Sequence, residues 1–223
     1  YFTYLSSTPN EAGIKNTSSS IILTIAVPTY NRESELTLLF ENLASRLVGF
    51  WSRIEIIVSD NCSLDETWSV IQNFNRNYGN IIRFRAFRQE RNLGPHRNVT
   101  FLMDKARGEF IWTIADDDLI AEKAVENIFQ YLEQSSTKTL LVRAEGIGEW
   151  DKIKVSRDAC LKKSIESSHS DYVQYLAAGS FLASTIFRAS EYPKYKKLIS
   201  ELVDTHYPHL ILFWHILSKQ ENI

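Results

Sequence analysis

The stretch Gly108–Leu119, GEFIWTIADDDL, decides the fold of this 223-residue chain. Its β-branched and aromatic residues, 110–114, are typical of a buried strand, and three aspartates follow almost directly. In open α/β sheets, ligands bind at the carboxyl ends of the strands. We therefore expect Asp116, Asp117 and Asp118 to lie at a ligand site.

Three adjacent carboxylates repel one another, and a hard cation between them relieves that repulsion. The alternative is a turn and a helix N-terminus, because Asp caps helices and residues 119–134 have an amphipathic helical pattern. Capping accounts for one of the three aspartates and leaves at least one unexplained. The pattern therefore favours a metal site.

The first 135 residues repeat a strand, a polar loop and a helix. The segments 21–29 and 54–60 are apolar without polar alternation, as in strands covered on both faces, and residues 81–88 form a third apolar run. This order predicts an α/β fold with a mostly parallel central sheet flanked by helices. The polar ends of the strands should then share one edge.

Composition and missing motifs exclude several classes of protein. No GxGxxG motif or GxxxxGK[ST] motif is present, which disfavours a nicotinamide-dependent enzyme and a P-loop NTPase. A formal charge of −2 gives no reason to expect a nucleic acid partner. Cys62 and Cys160 form no metal-ligand pattern. No apolar run approaches the length needed to span a bilayer, although association with a membrane surface stays open.

Four segments, in order, match a known family: TIAVPTYNR (24–32), EIIVSDNCSLDET (55–67), RNLGPHRN (91–98) and KARGEFIWTIADDDLI (105–120). With them the chain resembles the family 2 glycosyltransferases, which have the Rossmann-like GT-A fold. Among these it is similar to bacterial enzymes of O-antigen and capsular polysaccharide synthesis, abequosyltransferase-like members included. The resemblance covers residues 21–135 well and 179–217 more loosely.

The resemblance implies inverting transfer of a sugar from a nucleoside-diphosphate-sugar to an acceptor hydroxyl, assisted by Mn²⁺ or Mg²⁺. The family's Asp-x-Asp motif falls on residues 115–117, so this chain departs from it with Ala115 at the first position. Asp117 is then the catalytic metal ligand, Asp116 lies against the ribose or diphosphate, and Asp118 is a metal-side or capping group. A diphosphate leaves readily only when its developing charge is neutralised.

The resemblance also implies contacts to the donor nucleotide from the loops at the strand ends. Thr29 and Asp60 correspond to base and ribose contacts, and Arg91 or Arg97 reaches the base or a phosphate. The complete set of donor residues implied in this way is Pro28, Thr29, Tyr30, Arg32, Asp60, Arg91, Asn92, Arg97 and Asp116.

The small residues Gly179, Ser180 and Ser184 correspond to a segment that borders the acceptor in relatives. Tight packing around a turn explains small residues equally well, so both interpretations stay open. His206 is a further residue that we expect on the acceptor side.

An inverting transferase needs a base that removes the acceptor proton. In this family the base lies just before an apolar, aromatic-containing helix, and His209 matches that position. His206 and Asp204 remain as alternatives. A zinc role for the histidines is disfavoured because no HExxH motif is present.

We expect residues 1–20 to form an N-terminal arm or linker and residues 21–223 to form one GT-A domain. Its nucleotide-binding half spans 21–135 and its acceptor-side half spans 136–223. The chain lacks an initiating Met and stops directly after a helical pattern. It is therefore expected to be truncated at the C-terminus.

The function that these observations predict is a cytoplasmic glycosyltransferase, with peripheral association at the inner face of the cell membrane as an option. Its acceptor would be a glycan or a lipid-linked saccharide. One alternative is a nucleotidyltransferase that makes a nucleotide sugar, but such enzymes carry a Gly-rich basic loop where this chain has PTYNRES (28–34). A non-catalytic relative that only binds a nucleotide or glycan is the second alternative.

Overall fold

The computed structural model describes residues 20–133, 139–141, 182–204 and 207–218. Its strands are β1 (Leu23–Thr29), β2 (Ile54–Asp60), β3 (Arg83–Arg88), β4 (Phe110–Thr113), β5 (Thr139–Leu141) and β6 (Thr185–Arg188). They form one sheet in the order β3-β2-β1-β4-β6-β5. Strands β1 to β4 are parallel, whereas β6 is antiparallel to both β4 and β5. The predicted mostly parallel sheet is confirmed.

Six α-helices flank this sheet in the described part of the chain: α1 (Glu33–Arg46), α2 (Thr67–Tyr78), α3 (Pro95–Lys105), α4 (Ala124–Leu132), α5 (Tyr192–Leu202) and α6 (Pro208–Ser218). Helix α1 follows β1, and α2 follows β2, as the alternating pattern predicts. Helix α4 starts later than its amphipathic pattern suggests, with Lys123 at its N-cap. The three aspartates therefore do not cap α4, and they belong to a separate loop after β4.

The register of the strands brings their polar ends to one edge. Thr29 pairs with Asp60, and Asp60 pairs with Arg88, so the last residues of β1, β2 and β3 lie side by side. Strand β6 runs in the opposite direction and pairs Ile186 with Trp112. Its amino end therefore meets the carboxyl end of β4, which places Ser184 at the same edge. We call this edge the carboxyl edge of the sheet.

Both faces of the sheet are covered, because successive strand residues point to opposite sides. One face packs Ile25, Ile56 and Trp112 against buried residues of α1, α2 and α4. The other packs Ala26, Ile57 and Ile111 against buried residues of α3, α5 and α6. The absence of polar alternation in β1 and β2 is thus explained by burial on both sides.

The predicted arm at 1–20 lies outside the described residues except for Ser20, which is exposed. The predicted division into two functional halves is not tested by the fold. The sheet nevertheless joins them, since β6 pairs directly with β4. No helix in the described ranges is long and apolar enough to cross a bilayer.

Candidate functional site

Unsatisfied buried oxygens mark the carboxyl edge. Among the described residues, every buried side-chain oxygen that lacks a hydrogen bond belongs to Thr29, Asp60 or Thr113, at the ends of β1, β2 and β4. Buried polar atoms in native proteins nearly always have a partner, and an exception needs an explanation. A polar ligand that binds at this edge would supply the missing partners.

Asp60 is fully buried at the end of β2. Its Oδ1 accepts a hydrogen bond from the backbone N–H of Ser63 at 2.9 Å, and its Oδ2 lies 3.2 Å from Nε of Arg88 in an ion pair. Arg88 also donates to the Ser63 carbonyl at 2.9 Å. Sequence reasoning missed Arg88, although its place at the end of the next strand was a usable signal.

The three aspartates after β4 occupy different environments. Asp118 closes a turn, because its Oδ2 accepts a hydrogen bond from the Ala115 N–H at 2.9 Å. Asp116 is buried with 9% of its surface exposed, whereas the Asp117 side chain is 52% exposed. Asp118 thus stabilises the turn itself rather than a helix N-terminus, and Asp117 is the carboxylate most accessible to a ligand.

Burial sets the electrostatics of this turn. Desolvation raises the pKa of Asp116 above its ordinary value, while the nearby Thr29 hydroxyl and the charge of Arg32 oppose the shift. Desolvation likewise raises the pKa of Asp118, and the Ala115 N–H opposes it. A cation at this turn would stabilise both carboxylates in their charged form.

Among the contacts of the described residues, Arg32 is the positively charged side chain that comes nearest to this turn. Its guanidinium donates to Glu35 Oε1 at 2.9 Å and lies 3.9 Å from Asp117 Oδ2. The hydrogen bond to Glu35, followed by the charge of Asp116, raises the pKa of Arg32 above its ordinary value. Arg32 therefore stays charged beside the carboxylates.

A divalent cation fits this donor set only with help from a ligand. No group of three or more His, Cys, Asp or Glu side chains in the described ranges is arranged to hold a metal. Asp117 is accessible, and a nearby positive charge favours the ionised form of Asp116. Carboxylate oxygens are suitable ligands for Mg²⁺ and Mn²⁺. Mg²⁺ is typically bound by one or two carboxylates together with substrate phosphates, and the turn matches that arrangement.

The loops after β1 and β2 are bound to each other. Asn31, which has a positive φ of 52°, donates its backbone N–H to Ser63 Oγ and accepts from the Leu64 N–H, both at 2.8 Å. The Arg32 N–H donates to Thr67 Oγ1 at 2.9 Å. Pro28 is half-buried in β1, and Tyr30 is 39% exposed at the surface of this loop pair.

The loop between β3 and α3 and the first turns of α3 carry three further predicted donor residues. Arg91 and Asn92 are exposed, and Oδ1 of Asn92 accepts hydrogen bonds from the Gly94 N–H within the loop and from Nδ2 of Asn61 after β2. Arg97 lies in the first turns of α3 and forms a two-pronged ion pair with Asp204, with distances of 2.9 and 2.6 Å. Arg97 thereby joins α3 to the segment that follows α5.

On the acceptor side, Ser184 is buried at the carboxyl edge, just before β6. His209 lies in the first turn of α6 and is only 3% exposed. Its ring centre is 5.7 Å from that of Tyr207, which in turn is 4.7 Å from the ring centre of His96. His96 is a residue that sequence reasoning missed.

Three of the predicted acceptor-side residues, Gly179, Ser180 and His206, lie outside the described residues. Asp204, the carboxylate alternative for the base, is exposed and paired with Arg97. The hydrogen bond from Arg97 lowers the pKa of Asp204 below its ordinary value.

Two relatives resemble the chain over most of its length. One is the abequosyltransferase RfbV of Salmonella typhimurium, which is 26% identical over 89% of this chain and 62% of the relative. Another is the GalNAc(5)-diNAcBac-PP-undecaprenol beta-1,3-glucosyltransferase of Campylobacter jejuni, 29% identical over 75% of this chain and 52% of the relative. The chain thus spans between half and two-thirds of these relatives.

A solved structure with a similar fold is the mannosyltransferase PcManGT from Pyrobaculum calidifontis, in complex with GDP-Man and Mn²⁺. It has a TM-score of 0.58 and 16% identity, and the match covers 92% of this chain and 54% of that one. The family model "Glycosyl transferase family 2" matches residues 24–190. The chain therefore belongs to glycosyl transferase family 2 and has the GT-A fold.

Proposed function

We propose that this chain transfers a sugar from a nucleoside-diphosphate-sugar to an acceptor hydroxyl, with inversion, in the synthesis of a bacterial surface polysaccharide such as O-antigen or capsule. The observation that carries the proposal is the carboxyl edge, where buried oxygens without hydrogen bonds adjoin an accessible carboxylate turn. Such an edge offers hydrogen-bond acceptors to a nucleoside and carboxylates to a metal ion that is bound to a diphosphate. Membership of the family supports the type of reaction.

The donor nucleoside would bind across the ends of β1 and β2. Asp60 Oδ2, which is ion-paired with Arg88 but accepts no hydrogen bond, and Thr29 Oγ1 lie there, and both would accept hydrogen bonds from the base and the ribose. Tyr30, partly exposed in the adjoining loop, offers a ring face to the base. The other proposed donor contacts come from the surrounding loops and the carboxylate turn: Pro28, Arg32, Arg91, Asn92, Arg97 and Asp116.

The diphosphate would lie beside the carboxylate turn. Asp117 is the proposed ligand of Mn²⁺ or Mg²⁺, with Asp118 holding the turn and contributing on the metal side. When bound, the cation neutralises the charge that develops on the leaving diphosphate. Arg32 lies 3.9 Å from Asp117 and adds a fixed positive charge to the same place.

The acceptor hydroxyl would lose its proton to His209. A base on the face opposite the leaving group allows direct displacement, which inverts the anomeric centre. His209 is buried in the first turn of α6, and the ring of Tyr207 lies beside it. We expect substitution by Asn to lower turnover about 10²- to 10⁴-fold, the usual contribution of a general base. His206 remains the alternative histidine.

The proposed acceptor is a glycan or a lipid-linked saccharide, bordered by Gly179, Ser180, Ser184 and His206. The name of the Campylobacter jejuni relative describes an undecaprenol-linked acceptor, which supports the lipid-linked option. A lipid-linked acceptor would bring the enzyme to the inner face of the cell membrane. We accordingly propose a cytoplasmic enzyme with peripheral membrane association.

The first test is thermal stabilisation by UDP, GDP, CDP and dTDP, each with and without Mn²⁺. A ligand that binds only the folded state raises the melting temperature by mass action. We expect one nucleotide to stabilise the wild type in a Mn²⁺-dependent way and Asp117→Asn to lose that response. Asp104→Asn is the matched control, because Asp104 pairs with Lys196 on another part of the surface.

A folded sample that responds to none of the four nucleotides would contradict the proposal. A response that survives in Asp117→Asn would contradict the metal assignment alone. Once the donor is known, the anomeric configuration of the product, measured by NMR, decides whether transfer proceeds with inversion. Binding without turnover in the presence of donor and acceptor would favour a nucleotide-binding relative.

A further inference from the structure

Asn61 connects three segments of the carboxyl edge. It directly follows β2, and its backbone N–H donates to the Thr29 carbonyl at the end of β1, at 2.9 Å. Its side chain reaches the loop before α3, where Nδ2 donates to Asn92 Oδ1 at 2.9 Å and Oδ1 accepts from the Leu93 N–H at 2.8 Å. One residue thus joins β1, β2 and the 92–94 loop.

The orientation of both amides in this cluster is fixed by backbone donors. The Leu93 N–H requires an acceptor, so Oδ1 of Asn61 must face it and Nδ2 must face Asn92. The Gly94 N–H donates to Oδ1 of Asn92 at 2.8 Å, so that oxygen must face the loop. Neither amide can flip without leaving a backbone N–H facing an NH₂ group.

Asn61 itself is poorly placed to touch a ligand. It is only 3% exposed, and both of its amide atoms are used within the protein. Cys62, the next residue, has a positive φ of 68°, and its Sγ lies 3.7 Å from the Glu90 carbonyl. The chain therefore turns sharply after Asn61, and it makes a second contact at Glu90, just before the 92–94 loop.

We propose that Asn61 is a positioning residue that holds the 92–94 loop against the ends of β1 and β2 before the donor arrives. The inference rests on the proposed function, because Asn92 on this loop and Arg91 directly before it are proposed donor contacts. A loop that is already ordered costs the donor less conformational entropy on binding. Loss of Asn61 should therefore weaken nucleotide binding without changing the chemical step.

The test measures affinity for the nucleoside diphosphate that stabilises the wild type, by titration calorimetry with Mn²⁺. The variants are Asn61→Ala, Asn92→Ala and the double variant. We expect each single change to weaken nucleotide binding about tenfold. The double variant should bind the nucleotide as tightly as the weaker-binding single variant, because both residues act through one hydrogen-bonded unit. In steady state, Asn61→Ala should raise KM for the donor with kcat within about threefold of wild type.

Two further variants separate positioning from stability. Asn61→Asp keeps the acceptor for the Leu93 N–H but sets a carboxylate oxygen against Asn92 Oδ1, and it carries the test if Asn61→Ala does not fold. Thr24→Val removes a buried hydrogen bond to Glu55 at the opposite end of the sheet. It should lower the melting temperature and leave nucleotide affinity unchanged.

Wild-type affinity in both Asn61 variants would overturn the positioning role and leave the proposed function intact. Additive losses in the double variant would also overturn it, since they would indicate that Asn61 acts independently of the 92–94 loop. A folded wild type that binds none of the nucleotides would overturn the proposed function and this inference together.

Discussion

The two ends of the central sheet differ in how completely their buried carboxylates are hydrogen-bonded. At the start of β2, Glu55 is 1% exposed and fully bonded. Its Oε1 accepts from Thr24 Oγ1 at 2.7 Å and from the Arg107 N–H at 2.5 Å, and its Oε2 accepts from Arg85 at 3.2 Å. At the carboxyl edge, Asp60 Oδ2 forms an ion pair with Arg88 but accepts no hydrogen bond, and desolvation raises the pKa of Asp116.

This difference separates stability from function. A buried carboxylate with all its hydrogen bonds ties strands and loops together, whereas an incompletely bonded one costs stability and remains ready for a ligand. The end that holds Glu55 also packs Gly108 against Thr24, where no side chain would fit. We therefore interpret that end as structural and the carboxyl edge as the site. The predictions below test this division.

The largest expected effect on stability comes from Glu55→Ala. It leaves the Thr24 hydroxyl and the Arg107 N–H without their acceptor, and each buried donor left without a hydrogen bond costs about 1–3 kcal/mol. Urea unfolding measures the change in the free energy of unfolding. Glu133→Ala, which breaks an exposed ion pair with Arg53, is the control and should cost less than about 1 kcal/mol. A nucleotide affinity that falls in folded Glu55→Ala would contradict the division.

Gly108→Ala should cost about 1–3 kcal/mol, the usual range for overpacking. A Cβ at this position would lie 2.6 Å from the Thr24 nitrogen and 2.9 Å from the Leu23 carbonyl carbon, and backbone atoms cannot move aside easily. The comparison variant is Gly49→Ala, where nothing lies within 4 Å but φ is +87°. At Gly49 the cost in stability would come from backbone strain, because side chains other than glycine rarely adopt a positive φ. A Gly108→Ala protein as stable as wild type would show that this end tolerates repacking.

The sequence predicted the fold well because burial on both faces leaves a clear signature. Apolar runs without alternation at 21–29 and 54–60 became β1 and β2, and the parallel register followed from the intervening helices. The antiparallel pairing of β6 with β4 was not predicted, because the two strands are distant in sequence. Pairing between distant segments is set by packing and leaves no local pattern.

The sequence also predicted that the polar ends of the strands share one edge, but not how the environments of the residues there differ. Three identical aspartates acquire different environments only when the chain turns. The sequence therefore could not show that Asp118 closes the turn while Asp117 stays accessible. Asn61 and Arg88 act through contacts with loops about 30 residues away in sequence. Their roles depend on strand register, which is a property of the fold.

Asp116→Asn should stabilise the protein while weakening its response to nucleotide and Mn²⁺. Desolvation raises the pKa of Asp116 in the fold, so ionisation at neutral pH costs stability. That cost declines as pH falls through the raised pKa and is gone below the ordinary, unfolded-state value. The variant should therefore melt higher than wild type at pH 7, and the difference should shrink in acid. Each kcal/mol corresponds to about 2–4 °C in a domain of this size. A lower melting temperature would mean that Asp116 is as well satisfied as Glu55.

The smallest effect is expected for Asp204→Asn. The hydrogen bond from Arg97 lowers the pKa of Asp204, which makes this carboxylate a weak base at neutral pH, so kcat should stay within about threefold of wild type. A carboxyl with a lowered pKa adds stability above its unfolded-state pKa and loses it as pH falls through the folded-state value. Any difference in melting temperature between variant and wild type should therefore vanish in acid, and salt should reduce it, because the pair is exposed. If kcat instead falls strongly, the base that accepts the acceptor proton is Asp204, an exposed carboxylate with an ion pair. Incomplete hydrogen bonding would then no longer distinguish catalytic groups from groups that only stabilise the fold.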